Sequence, residues 1–474
     1  MDPETHIRNV GMYRMQVLGP KETGMHWHKH KVSAGHYNAY KRLGKKMPVA
    51  VVLGGDPVYT YAATAPLPPN VDEYVLAGFL RKKKVELVKC ITQDMYVPAD
   101  ADFIIEGYVD PQEDLIWEGP FGDHTGYYSL ADWYPKFHIT CITHRKNPVY
   151  PSTIVGIPPQ EDAWIGKATE RIFLAPIKMT MLPEMLDMDM PIEGVFHNLT
   201  TVKIKKSFSG HGQKVMNAMW GAGQMMFNKI LIVADEHTTI QDYKQLARTI
   251  SKNTDPAQDI YISQGPMDVL DHSCSKFAFG GKMCIDATIK NPEEMNDLNK
   301  AVEIRNIQID TKSLLEKYPE IHSIHTELLN EEISVVLIAI EKNQTNQIRK
   351  LSEKLFAEQG LNAIKFLVFV DSTVHAGDVD IVTWHAANNI DPKRDIFIYV
   401  HGENGVSHAA IDGTRKTKKY DNFQRDWPNI ICMDQNVIEA VDAKWDTLGL
   451  GKFISSPSLR YQKQYFKGGA VVQE

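Results

Sequence analysis

Short apolar runs punctuated by glycine and proline dominate the first 160 residues. Stretches 47–53, 85–90, 103–109 and 137–143 are rich in Val, Ile and Phe and bounded by turn-forming residues, the pattern of strands. Their spacing predicts a barrel or sandwich rather than a doubly wound sheet. One helix is predicted over 71–82, where Asp72 can cap and Tyr74, Leu76, Ala77, Phe79 and Leu80 form an apolar face. Beyond the turn-rich stretch 150–159, residues 161–174 return to helical spacing through Trp164, Ile165, Ala168, Ile172 and Phe173, predicting a connecting helix that leaves the barrel.

From about Asn198 strands and helices alternate, and this half repeats itself. Lys206, Asp235, Asp255-Pro256, Asp259 and Ile262 recur 136 residues later as Lys342, Asp371, Asp391-Pro392, Asp395 and Ile398. The segment around Asp286 returns at an offset of 126 around Asp412, so the second copy has a loop shorter by ten residues. The pattern predicts duplicated α/β domains, with divisions at 1–160, 161–195, 196–300 and 301–474.

The 474 residues, 43% apolar and 23% charged, exclude a disordered tail or a disulfide miniprotein. A net charge of −7 lacks the basic excess of a general nucleic-acid binder, so anionic ligands require a local site. Five cysteines without a CxxC pair, no apolar run approaching the ~20 residues of a membrane helix and no signal-peptide pattern lead to the expectation of a soluble cytoplasmic protein with reduced thiols.

Three segments concentrate chemistry: Asn9–Arg14 (NVGMYR), Met25–Lys31 (MHWHKHK) and Glu118–His124 (EGPFGDH). In a strand, His26, His28 and His30 share one face, a geometry that could hold a metal, although the spacing alone favours a partly exposed polar strand. In the third segment Gly119, Pro120 and Gly122 force a turn that lets Glu118 and Asp123 converge. Neighbouring carboxylates raise one pKa and leave a proton to donate near neutrality, while a buried arginine holds the other ionised. A solvated surface turn fits the same residues.

These segments, with MPVAVVLGGDP, PNVDEYVLAGFLR, VELVKC, VPADADFIIEGYVDP and GGKMCIDAT, resemble in order the UbiD family of reversible aromatic-acid decarboxylases, from residue 9 to about 290. The resemblance implies a mixed α/β and β multidomain fold: a split β-barrel flavin-binding domain, an α/β domain and its duplicate. It also implies prenylated FMN and Mn²⁺, with K⁺ as a further candidate. Asn9, His30 and Glu73 match the metal ligands, a mostly hard donor set suited to Mn²⁺ or Mg²⁺. Met12, Tyr13, Arg14, His26, Trp27, His28, Lys31, Val32 and Lys282 match flavin-binding positions, although Lys31-Val32 stands where many members carry Arg-Gly. Arg14, Glu118 and Asp123 match the catalytic trio, with Asp123 assigned as proton donor and Glu118 supporting or sharing that role.

The implied reaction is decarboxylation of a 4-hydroxy-3-polyprenylbenzoate-like acid in quinone biosynthesis. The alternatives are a dihydroxynaphthoate decarboxylase of menaquinone biosynthesis, whose branch MHWHKHK resembles, and a non-catalytic flavin-binding or assembly subunit. Implied partners are the aromatic acid, a flavin prenyltransferase supplying the cofactor, a membrane surface touched through a lipid-like substrate, and further copies in a dimer or hexamer. Only eight residues precede Asn9 where the family carries many more, so a shortened front lacking its first barrel strands is expected, with lower stability or flavin retention. The second copy has His408 opposite Lys282 and no flavin motifs, and is expected to be structural or to mediate oligomerisation.

Overall fold

A computed structural model of the chain describes residues 1–28, 31–68, 70–295, 304–400 and 405–473. It divides into two compact units, one of residues 1–121 and 129–154 and the other of residues 122–128 and 155–474.

Unit one is built on an antiparallel sheet of five strands, β1 (Val17–Gly19), β2 (Glu22–Gly24), β3 (Met47–Leu53), β4 (Phe103–Val109) and β5 (Lys136–His144), in the order β1-β2-β5-β4-β3. β3 and β4 have the bounds predicted from the apolar runs, and residues 85–90 supply a shorter strand, Leu87–Lys89, paired with Tyr96–Pro98. β5 bulges between Ile139 and Cys141 opposite Gly107, where a Cβ would fall 2.0 Å from the His138 carbonyl oxygen. Met25, Trp27, Tyr40, Met47, Val109 and Phe137 form the core beneath the sheet.

Three helices flank it: α1 (Val32–Leu43), α2 (Pro57–Thr64) and α3 (Glu73–Arg81). α3 starts as predicted, with Asp72 accepting from the Tyr74 amide, and ends on Lys82 in the left-handed conformation. Its expected apolar face needs correction: Tyr74 and Ala77 are buried, whereas Phe79 is 77% exposed.

In unit two, α4 (Glu161–Thr180) continues past the predicted end and through Pro176, burying Gly166 and Glu170 and leaving Trp164 outside. Two sheets follow. The first has β6 (Met185–Asp189), β7 (Leu199–Ile204), β8 (Ile230–Asp235), β9 (Ile260–Pro266) and β10 (Phe279–Asp286) in the order β6-β7-β8-β10-β9. The second has β11 (Ile321–His325), β12 (Val335–Ile340), β13 (Phe366–Asp371), β14 (Ile396–Tyr399) and β15 (His408–Asp412) in the matching order β11-β12-β13-β15-β14. Registers match as well: Leu199 opposes Ile230 as Val335 opposes Phe366, and Ile230 opposes Met283 as Phe366 opposes Ala409. The first sheet begins at Met185, inside the stretch expected to be only a connector, because a methionine-rich edge strand lacks the β-branched signal.

The repeated residues are structural. Asp255 and Asp391 each cap the turn that follows, and their own amides donate to Asp259 and Asp395. Asp286 and Asp412 each accept from the amide and hydroxyl of the threonine two residues on.

The copies share a core of Ile230, Met283, Ile285, Phe366, Ile390 and Ala409, and they clasp each other through equivalent lysines. Lys229 donates to the Ala387 carbonyl at the end of the helix Val379–Asn389, and Lys365 to the Thr254 carbonyl just beyond the helix Tyr243–Asn253. Among the described residues, Lys229 but not Lys365 also pairs with a buried carboxylate, Asp271, at 2.6 Å. Lys229→Met therefore strands a charge and should cost about 3–5 kcal/mol. Lys365→Met strands only a carbonyl and should cost about 1 kcal/mol. Denaturant unfolding of the two variants in parallel checks this order.

Candidate active site

In unit one Glu118 ends the strand Ile116–Glu118, which pairs with Asp132–Tyr134, and its side chain is 1% exposed. Arg14 meets it with two parallel hydrogen bonds, Nε to Oε1 at 2.8 Å and Nη2 to Oε2 at 2.9 Å. The remaining Nη1 donates to Ser129 Oγ at 2.6 Å, and the Phe121 ring lies 4.5 Å from the guanidinium carbon. Burial pushes the Glu118 carboxyl up, but His26 and Arg14 outweigh it and bring it down to about 2. Glu118 is thus the ionised carboxylate that the sequence pattern called for.

His26 Nδ1 lies 3.0 Å from Glu118 Oε2, and its Nε2 lies 2.5 Å from His28 Nε2. Arg14 Nη2 lies 2.7 Å from the same Nδ1, so an unprotonated Nδ1 accepts from Arg14, whereas a proton there is donated to Glu118. The two histidines share a face as expected, yet this segment is irregular rather than a strand: Met25 donates to the Pro135 carbonyl and His26 to that of Arg14.

Asn9–Arg14 packs beside α3. The Val10 amide donates to Glu73 Oε2 at 2.8 Å, which brings the neighbour of Asn9 to the metal-ligand candidate Glu73. Asn9 Nδ2 donates to the Tyr13 hydroxyl, leaving its amide oxygen as a donor atom for a cation. Burial raises the Glu73 carboxyl, while Arg8 forms its ion pair with the adjacent Asp72. A desolvated carboxylate suits a hard cation, and the Asn9 amide oxygen is a donor of the same hard kind. His30 lies outside the described residues, and among those no group of three His, Cys, Asp or Glu side chains converges for a metal.

Of the expected flavin positions, Trp27 is buried edge-on to Tyr13, whereas Met12, Lys31 and Val32 are exposed. At Gly11 a Cβ would fall 2.3 Å from the Tyr13 hydroxyl, so a larger residue would displace that ring. In unit two Lys282 is buried, donating to the carbonyls of Met226 at 2.6 Å and Asn228 at 2.7 Å. Burial lowers it to about 8. His408 meets the equivalent carbonyl, Ile364, at 2.7 Å, so both copies use this position to satisfy the backbone ahead of the central strand.

Asp123 belongs to unit two, on the loop 122–128. Its Oδ1 accepts from the His124 amide at 2.9 Å and lies 3.2 Å from His124 Nδ1. Burial works against the imidazolium, but Asp123, Asp162 and Asp268 overcome it and raise His124 to about 9. The imidazole stacks on Phe196 at 4.9 Å. His124 was visible in the sequence only as part of EGPFGDH, without an assigned role.

The family model for the 3-octaprenyl-4-hydroxybenzoate carboxy-lyase Rift-related domain matches residues 1–158, and that for the C-terminal domain matches 163–287 and 304–418. The chain belongs to the UbiD family. A UbiD-family assignment also accounts for the paired sheets, because the C-terminal model covers both. An uncharacterized protein of Aquifex aeolicus is 52% identical over 293 residues, 62% of this chain and 60% of that one. Another, from Helicobacter pylori, is 37% identical over 442 residues, 92% of this chain and 68% of its own length. The chain therefore spans about three-fifths of the length of the Aquifex relative. Among solved structures, vanillic acid decarboxylase of Sedimentibacter hydroxybenzoicus in its closed form is 28% identical with a TM-score of 0.57, covering 66% of this chain and 65% of that one. The UbiD-class enzyme HmfF of Pelotomaculum thermopropionicum in complex with FMN is 27% identical with a TM-score of 0.55, covering 67% and 69%.

Glu118→Gln should leave Arg14 buried with half its partners and cost about 3 kcal/mol at pH 7. The wild-type carboxyl is depressed, so its contribution is complete above its ordinary value of 4.5 and disappears as pH falls towards 2. Thermal melting across that range should show a steeper acid loss for the wild type than for the variant.

Proposed function

We propose that this chain catalyses non-oxidative decarboxylation of a hydroxylated aromatic acid with prenylated FMN, acting on a polyprenyl-hydroxybenzoate-like acid in quinone biosynthesis. The observation that carries the reading is the buried, doubly hydrogen-bonded Arg14–Glu118 pair, five residues ahead of the carboxyl group of Asp123. Aromatic decarboxylation leaves an electron pair on carbon, and prenylated FMN supplies the sink for it when bound. The chain's own residues then have separable tasks. Glu118, held ionised, fixes the Arg14 guanidinium in place, with Ser129 and Phe121 completing its surroundings. Arg14 orients the anionic substrate, and Asp123, taking a proton from the His124 imidazolium 3.2 Å away, carries it to the carbon that loses CO₂.

Asn9, Glu73 and His30 would hold the divalent cation, Mn²⁺, that ties the flavin phosphate to the protein. The solved relatives support the decarboxylase and flavin parts of the proposal, one being a vanillic acid decarboxylase and the other holding FMN.

Asp123→Asn in protein loaded with prenylated FMN should lower decarboxylation and ring-carbon H/D exchange by about 10³-fold, with the flavin spectrum unchanged. A variant that retains the wild-type rate overturns the assignment of the donor. Glu73→Gln should lower both Mn²⁺ content and retained flavin, read by metal analysis and absorbance after desalting.

A further inference from the structure

The two C-terminal copies share strand order, register and caps, so the places where they differ mark what each has come to do. The largest contrast lies in one pair of equivalent helices. In the first copy the helix Tyr243–Asn253 carries Lys244, Arg248 and Lys252 and buries only Leu246 and Ser251. Its counterpart Val379–Asn389 carries one charge, Asp380, and buries eight residues, Trp384 among them. Arg248, at the position equivalent to Trp384, is partly exposed and bonds the carbonyl of Glu331.

What covers the second helix includes the loop 122–128. Trp384 Nε1 donates to the Thr125 carbonyl at 2.8 Å, and the indole stacks on Tyr127 at 5.1 Å and 24°. Gly126 adopts a φ of +85°, and a Cβ there would fall 2.8 Å from Trp384 Cζ2. The chain near the C-terminus closes the other side: Ile431 donates to the Gly126 carbonyl at 2.8 Å, and Tyr128 to the Asn429 carbonyl at 3.0 Å. Every one of these contacts lies within unit two.

The same loop presents Asp123 and His124 to a closed polar setting. His124 faces Asp123 on its own loop, Asp162 on α4, Asp268 between β9 and β10, and His197 ahead of β7. The backbone at Val195 and Phe196 is held at φ of +44° and +48°, unfavourable for both residue types, and this places the Phe196 ring against the imidazole. Gly166 of α4 makes room for it, since a Cβ there would lie 3.0 Å from Phe196 Cβ.

We propose that the second copy serves the reaction as a positioning element, with Trp384 holding the loop that carries Asp123 and His124 through its hydrogen bond to Thr125. This rests on the reading of Asp123 as the proton donor. Trp384 touches neither substrate nor flavin in this role; it fixes where the Asp123 carboxyl stands. A loop released by an ångström loses most of the advantage of a placed acid, and one opened to water loses the setting that keeps His124 charged.

The test uses Trp384→Phe, which keeps an aromatic ring and removes the N–H, and Gly126→Ala, which pushes the loop off the indole without altering it. Arg248→Gln at the equivalent position is the control. In protein loaded with prenylated FMN, both loop variants should lower kcat by about 10-fold or more with little change in KM. The alkaline limb of their kcat/KM profile should move down from near pH 9 towards the ordinary histidine value. Amide hydrogen exchange across 122–128 should become faster in both, while Arg248→Gln should match the wild type in all three measurements. Unchanged exchange in that peptide together with an unmoved alkaline limb overturns the proposal, even if the variants melt earlier. Should the loaded wild type show no decarboxylation or H/D exchange, the functional reading fails, and exchange across 122–128 still decides whether Trp384 holds the loop.

Discussion

A carboxylate withdrawn from water must have its charge answered where it stands, and much of unit one is arranged to do this for Glu118. Arg14 comes from the segment that also supplies Asn9 and Val10, so the residues that meet Glu118 and those beside Glu73 share a single stretch of six. His26 arrives from the chain beyond β2, and Ser129 from the point where the chain re-enters the unit. Replacing water around one anion therefore fixes three segments relative to each other, the physical meaning of a preorganised site.

The duplicated half shows a different economy. The aspartates, threonines and lysines that recur between the copies cap turns and strand ends, so the repeat preserves the frame of the fold rather than its chemistry. Differences are concentrated in two places: the longer loop between β9 and β10, which contributes Asp271, His272 and Ser273, and the helix bearing Trp384. Ser273 bonds the Ile390 carbonyl and His272 bonds Asn389, so the added residues of the first copy join the shared core and the two lysines in holding the second copy.

Legibility in the sequence followed the range of the forces involved. β3 could be read to its ends because it is an uninterrupted apolar run, β4 because β-branched and aromatic residues flank its Glu106-Gly107 on both sides, and α3 because Asp72 caps it one residue ahead. The duplication was legible because its capping residues are polar, local and spaced by a constant offset. α1 was not foreseen: its N-cap position is Lys31, which has no side-chain acceptor to offer, and it follows a histidine-rich stretch that resembled a strand. α2 was missed despite Asp56-Pro57, which supply the cap and first-turn proline. That a buried arginine holds a carboxylate ionised follows from chemistry alone, and Arg14 meets Glu118 in that way, whereas the link between Trp384 and Thr125 spans 259 residues and no local pattern could announce it.

A chain that encodes the same sheet twice also faces a sorting problem while it folds. Strands of equal register and equal caps can pair with the wrong copy, and such misassembly is a hazard of repeated domains. The buried Lys229–Asp271 pair offers a way out, because Asp271 sits on the longer loop and the second copy places no matching carboxylate beside Lys365 among the described residues. A β8 strand docked in the wrong sheet would bury its lysine without an anion, at a cost far above that of a misplaced valine. A contact of little net value to the finished structure can thus act as a proofreading mark for its assembly.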